Sequence, residues 1–238
     1  NDVKAYWEAQ PPSPILKTHT FLDNPLNGGL ETGNLNLISG DPEAGKTMLM
    51  MQILKNISRD HKAVLFPFEF TVRSMVKLQR QIEGEDYQNP NLMIIDKGYD
   101  ISDIEREIRI WAKKGCRCFA IDSQMRVENN FTKANTMEER ESEKFSRLAK
   151  LAHRLDIVIL FIIQNSKADT STGTVSPMGS KKGAHEATIT IHLKRLKDDE
   201  KNGQKEMRQI IFSKNKQSGT HFVKNLKFNP FKKTFHPI

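Results

Sequence analysis

Short apolar runs alternate with longer amphipathic ones along most of this chain. Leu35-Asn36-Leu37-Ile38-Ser39 switches between apolar and polar residues, as a half-buried strand does. Residues 48–57 are apolar-rich without Gly or Pro, which predicts a buried helix. Residues 63–68 predict a second strand ending at Glu69, with a helix near 72–82 and a third strand over 91–95. A helix is expected from about Ser102 to Lys114, where Ser102 and Glu105 have the spacing of a capping box. A strand at 118–121 ends in Asp122, and a helix spans 137–155. Residues 157–163 are an almost unbroken apolar run ending at Gln164, the texture of a central parallel strand covered on both faces.

Strands alternating with helices predict an α/β fold built on a mainly parallel sheet flanked by helices. After residue 186 the pattern changes to strand after strand, at 188–193, 209–212 and 221–228. Turn residues at Lys201-Asn202-Gly203 and Ser218-Gly219 suit hairpins. The expected fold is therefore a parallel core extended by C-terminal antiparallel strands. Residues 1–17, with Pro11-Pro12-Ser13-Pro14, read as a linker or arm, and residues 18–238 as one domain. Tyr6 and Trp7 in that arm suggest docking onto a neighbour. Residues 165–183, rich in Ser, Thr, Gly and Lys, read as a mobile surface loop.

Composition narrows the picture. In 238 residues there is room for one α/β domain and an arm, and no apolar run approaches the roughly 20 residues of a membrane span. No basic-then-apolar leader opens the sequence. A cytoplasmic protein is expected, with Cys116 and Cys118 as buried free thiols. Lys plus Arg exceeds Asp plus Glu by eight, 37 against 29, and residues 205–238 hold much of the excess. Such a block is either a solvated face or a surface for a polyanion such as nucleic acid.

The strongest chemistry lies at Gly40-Asp41-Pro42-Glu43-Ala44-Gly45-Lys46-Thr47, a G-x-x-x-x-G-K-T string between a predicted strand and a predicted helix. In this context it reads as a P-loop (Walker A). Its backbone N–H groups, with that of Met48, cradle phosphates, while Lys46 reaches the β- and γ-phosphates and Thr47 ligates Mg²⁺. Asp122 ends a strand on the side where α/β sheets bind ligands, and it is the candidate to hold Mg²⁺ through water. Glu69 is the candidate general base for the attacking water, and Gln164 the candidate sensor of the γ-phosphate.

These motifs and their order resemble the RecA-type motor domain of DnaB-like replicative helicases, including the helicase halves of phage primase-helicases. The stretch from Phe21 through Leu35 resembles the segment leading to that family's P-loop. Phe68-Glu69 resembles its catalytic glutamate, Ile121-Asp122-Ser123-Gln124 its Walker B segment, and Ile163-Gln164-Asn165 its sensor. Residues 211–219 resemble the segment that inserts a Lys-x-Arg pair into a neighbour's ATP site, and Phe228-Asn229-Pro230 its closing strand.

The resemblance implies a RecA-like P-loop NTPase fold, ATP and Mg²⁺, and a homo-oligomeric, hexameric ring around single-stranded DNA. It also implies primase or replication-loading proteins as partners, with no membrane. Lys214 and Lys216 would act in trans. Lys181, Lys182 and Gly183 match the DNA-binding loop in position. Three departures stand out: Lys216 replaces the finger arginine, only residues 70–91 separate Glu69 from Leu92, and the DNA loop matches loosely. Two alternatives stay open, a recombinase- or KaiC/RadA-like ATPase that does not unwind duplexes, and a DNA-binding loader module with weak hydrolysis.

Overall fold

The computed structural model describes residues 4, 13–130, 132–164, 183–196 and 206–238. In chain order the elements are β1 (Ile15–Leu16), β2 (Leu30–Glu31), β3 (Asn34–Gly40), α1 (Lys46–Ile57), β4 (Lys62–Pro67), α2 (Val72–Glu83) and β5 (Leu92–Ile94). Then come α3 (Ile101–Lys113), β6 (Cys116–Asp122), α4 (Met137–Leu155), β7 (Val158–Ile162) and a short helix α5 (Gly183–Glu186). The chain closes with β8 (Ile189–Arg195), β9 (Met207–Asn215), β10 (Val223–Asn229) and β11 (Thr234–Pro237).

Among the described residues the main sheet has nine strands in the order β11-β10-β9-β8-β3-β7-β6-β4-β5. Pairing from β8 through β5 is parallel, and β9, β10 and β11 add antiparallel strands. This is the expected parallel core with an antiparallel extension. Strand β11 was not anticipated, because its four residues carry only one buried apolar side chain, Phe235.

The alternating pleat divides the core in two. Ile38, Leu65, Ala120, Leu160 and Ile162 face α1, whose Leu49, Met50, Ile53, Leu54 and Ile57 are buried against them. Leu37, Phe66, Phe119, Ile121, Ile159 and Phe161 face α3 and α4, which contribute Ile104, Ile108, Phe145, Leu148 and Leu151. Burial on both faces explains why the run from 157 to 163 has no polar member.

Two expectations about the edges of the domain change. The strand Ile15–Leu16 pairs antiparallel with Leu30–Glu31, and Leu16 is buried in the α1-side core. The packed fold therefore starts before residue 18. At α3 the cap is Asp100, whose carboxylate accepts from the Ser102 N–H at 2.8 Å. The Glu105 carboxylate instead accepts two bonds from the Arg147 guanidinium on α4, each 3.1 Å. A two-pronged ion pair across helices outcompetes the local cap. A capping box does form at α4, between Thr136 and Glu139.

Cys116 and Cys118 are buried free thiols, and burial raises the pKa of both. No helix among the described residues is long and apolar enough to cross a membrane. Tyr6, Trp7 and almost all of the 165–183 loop lie outside the described residues.

Candidate active site at the ends of the parallel strands

The P-loop begins where β3 stops. Gly40 lies so close to β8 that a Cβ there would sit 2.2 Å from the Leu193 carbonyl oxygen. Gly45 adopts φ 101° at the N-cap of α1, and a Cβ would sit 2.8 Å from Phe235 Cζ. Only glycine fits both positions. Helix α1 has neither a side-chain cap nor an acidic residue in its first turn. Its first N–H groups and the positive end of its dipole are thus uncapped by any side chain of the helix itself, as phosphate binding requires.

Lys46 folds back on the loop, donating from Nζ to the Gly40 carbonyl at 3.1 Å and the Asp41 carbonyl at 3.0 Å. Burial lowers its pKa, while Glu69, Asp122 and Asp41 oppose that fall. The Thr47 hydroxyl donates to Asp122 Oδ2 at 2.7 Å. Burial pushes the Asp122 carboxyl up to about 6, with the Thr47 bond and Lys46 pulling down and Glu69 pushing up. Asp122 Oδ1 is buried and has no hydrogen-bond partner among the described residues. A buried, unpaired carboxylate oxygen beside a threonine hydroxyl fits Mg²⁺, which takes one or two carboxylates and completes its shell with water and substrate phosphate.

Glu69 follows β4, and its backbone N–H donates to the Asp122 carbonyl at 3.1 Å. Its exposed side chain accepts from the hydroxyl of the fully buried Ser123. The Asp122–Ser123 peptide bond is cis. Gln164 lies two residues beyond the Ile38–Ile162 pair, level with Gly40, and is exposed at that end. Adjacent strand ends therefore bring Lys46, Thr47, Asp122, Glu69 and Gln164 to one edge of the sheet. A separate cavity of about 680 Å³ lies against the first turns of α4, lined by residues that include Met125, Asn129, Met137 and Arg140. It includes no P-loop residue.

The antiparallel extension supports the loop from behind. The buried Arg208 donates from Nε to the Ala44 carbonyl at 3.0 Å. Asp41 accepts from the Arg195 N–H at 2.9 Å, and the Arg195 guanidinium lies 3.5 Å from Glu43. Gln52 on α1 exchanges two hydrogen bonds with the Phe235 backbone, at 3.0 and 2.8 Å. None of Arg195, Arg208 or Phe235 stood out in the sequence. Arg208 in particular was one more charge in a basic block, and only its strand pairing turns it inward.

The remaining candidates go elsewhere. Lys214 pairs in register with Thr190, three residues short of Leu193, the partner of Gly40. That is about 10 Å along the strand, away from the P-loop. Lys216 lies farther still, its N–H donating to the Thr188 carbonyl at 2.9 Å. Neither lysine reaches the chain's own phosphate cradle. Lys214 Nζ donates to the Ala184 and His185 carbonyls at 2.8 and 3.0 Å, and burial, with Lys216 nearby, lowers its pKa to about 8.

Gly183 is buried against Phe145, where a Cβ would come within 2.5 Å of the ring, which makes it a packing position at the start of α5. Lys181 and Lys182 lie outside the described residues. His192 shares a 3.0 Å hydrogen bond with Ser39, and burial lowers its pKa. Its packed setting is that of a structural residue.

No family model matches the chain. The DNA repair and recombination protein RadB of Methanobrevibacter smithii is 23% identical over 176 residues, 69% of this chain and 74% of that protein. Among solved structures, the "ATPase Domain of G40P" superposes with a TM-score of 0.81 at 20% identity, covering 99% of this chain and 96% of that one. A DnaB-like replicative helicase, solved to show its interactions with primase, gives 0.80 at 21% identity. The match covers 98% of this chain and 66% of the helicase chain. The fold is thus the RecA-like P-loop fold that these two structures share.

Proposed function

We propose that this chain is an ATP-hydrolysing motor domain that works in a ring of its own copies around single-stranded DNA. One observation carries the reading: Lys46, Thr47, Asp122, Glu69 and Gln164 converge on one edge of a RecA-like sheet, while Lys214 and Lys216 lie about 10 Å or more along the strands from it. In this reading the first set serves the chain's own nucleotide, and the second would serve a neighbour's.

In this reading the α1 N-terminus and Lys46 hold the phosphates of ATP. Thr47 and Asp122 hold Mg²⁺, which when bound neutralises phosphate charge. Glu69 takes a proton from the attacking water as its oxygen bonds to the γ-phosphorus and the bond to the ADP oxygen breaks. Gln164 hydrogen-bonds the γ-phosphate, and Lys216, as a single point charge, contributes less in trans than an arginine fork. Lys181, Lys182 and the basic C-terminal strands supply DNA-backbone contacts, which position the strand without reading its sequence. The DnaB-like neighbour was solved with primase, so a primase or a loading protein is the proposed replication partner, in the cytoplasm.

The test is the ATP turnover rate with and without single-stranded DNA, with particle mass measured in both samples. Stimulation by DNA and a ring-sized mass are expected, and Glu69→Gln should bind ATP while slowing hydrolysis by orders of magnitude. A monomer with flat activity refutes the motor. The similarity to RadB favours a second reading, a recombination-type ATPase. Such a protein binds DNA with ATP and leaves a duplex closed in a strand-separation assay.

A further inference from the structure

We infer that Ser123 is the residue that positions Glu69 for proton abstraction, an inference that rests on the ATPase reading above. Glu69 is exposed and lies two residues beyond the end of β4, so no strand or helix of its own fixes its side chain. A base must be held to a fraction of an ångström of its productive geometry, and such precision comes from partners that are themselves locked.

Ser123 is such a partner. It is fully buried, it directly follows Asp122 at the end of β6, and its hydroxyl donates to Glu69 Oε1. No other hydrogen bond to the Glu69 carboxylate is found among the described residues. Hydrogen bonds tie down the residues on both sides of Ser123. Asp122 is tied to Thr47 at 2.7 Å and, through its carbonyl, to the Glu69 N–H at 3.1 Å. Gln124 donates to Glu141 Oε2 at 2.8 Å, and Glu141 pairs with the buried Lys144 at 2.6 Å.

The consequence is a division of labour within one carboxylate. Ser123 has a single proton to donate, and it holds Oε1. Oε2 is left to accept the proton from the attacking water. The serine touches no reacting atom, so it acts only through Glu69.

The experiment compares Ser123→Ala, Glu69→Gln and the double variant in the full chain, with single-turnover rates for the slow ones. Ser123→Ala is expected to lower kcat about 10- to 100-fold, the penalty for a base misplaced by about an ångström. Its KM for ATP should stay within about twofold and its melting temperature near that of the parent, because neither the P-loop nor Thr47 is touched. The double variant should be no slower than Glu69→Gln alone, since a glutamine cannot use the positioning. Ser123→Thr, which keeps the hydroxyl, should recover most of the rate. If alanine fails to fold, Ser123→Cys, a poor donor of similar size, is read by the same criteria.

A Ser123→Ala kcat within about threefold of the parent overturns the inference, as do losses that multiply in the double variant. The two levels of failure separate cleanly. A parent chain without ATP turnover sinks the ATPase reading itself. A Glu69→Gln variant at full speed removes the base and Ser123 with it. A dead Glu69→Gln beside an active Ser123→Ala removes Ser123 alone.

Discussion

Replacing Asp122 with asparagine should make the metal-free protein more stable while destroying its ATPase activity. Asp122 is 1% exposed and its pKa is raised from 3.8 to about 6, mainly by burial. The folded chain therefore holds this proton more tightly than the unfolded chain does. Stability from this group is fully present below the unfolded pKa of about 4 and is lost as pH rises through about 6. At 1.36 kcal/mol per pKa unit, the loss at pH 7.5 is on the order of 3 kcal/mol.

Asparagine has nearly the same shape, keeps an oxygen for the Thr47 hydroxyl and cannot ionise. In EDTA at pH 7.5, Asp122→Asn should melt about 6–12 °C above the parent, at roughly 2–4 °C per kcal/mol for a domain of this size. At pH 4 the advantage should vanish. With Mg²⁺ and ATP the order should reverse, because ligand binding stabilises only a chain able to hold the metal. Thermal melts across pH, with and without Mg²⁺-ATP, read all three outcomes. A variant that melts at or below the parent at pH 7.5 in EDTA refutes the claim that Thr47 and Lys46 only partly offset the burial of this carboxylate.

Three further outcomes follow from the packing and the strand register. Gly45→Ala puts a methyl 2.8 Å from Phe235 Cζ at φ 101°, so fluorescent-nucleotide titration should show at least a tenfold weaker site, and unchanged affinity would contradict the tight seat of β11. Asn36 is buried in β3 with neither amide atom hydrogen-bonded among the described residues. Asn36→Leu, close in volume and apolar, should gain about 1–3 kcal/mol in urea unfolding, and a loss would mean the amide has a partner. If Lys216 acts only across subunits, doping Lys216→Ala chains into Lys46→Ala chains should restore part of the ATP turnover that neither has alone. No restoration would argue against sharing of sites between chains.

Much of this protein was legible from its sequence, for a physical reason. Parallel strands buried on both faces leave continuous apolar runs, and the P-loop is contiguous, so its strand, glycines, lysine and threonine are read as one string. Because α/β sheets bind ligands at their strand ends, single polar residues terminating three such runs also pointed to Glu69, Asp122 and Gln164. The resemblance to DnaB-like motor domains rested on these same positions, and the fold agrees with it.

What only the tertiary structure decided are contacts between segments far apart in the chain. Ser123 is an ordinary turn residue until β4 and β6 pair and bring Glu69 to its hydroxyl. Arg208 and Phe235 read as parts of a basic tail until the antiparallel strands fold them against Ala44 and Gly45. Gly183 looked like loop until α5 packed it under Phe145, and Lys214 had no direction until β9 paired with β8. Local sequence sets the pleat and the turn; strand order and register, which depend on the whole sheet, choose which distant side chains meet.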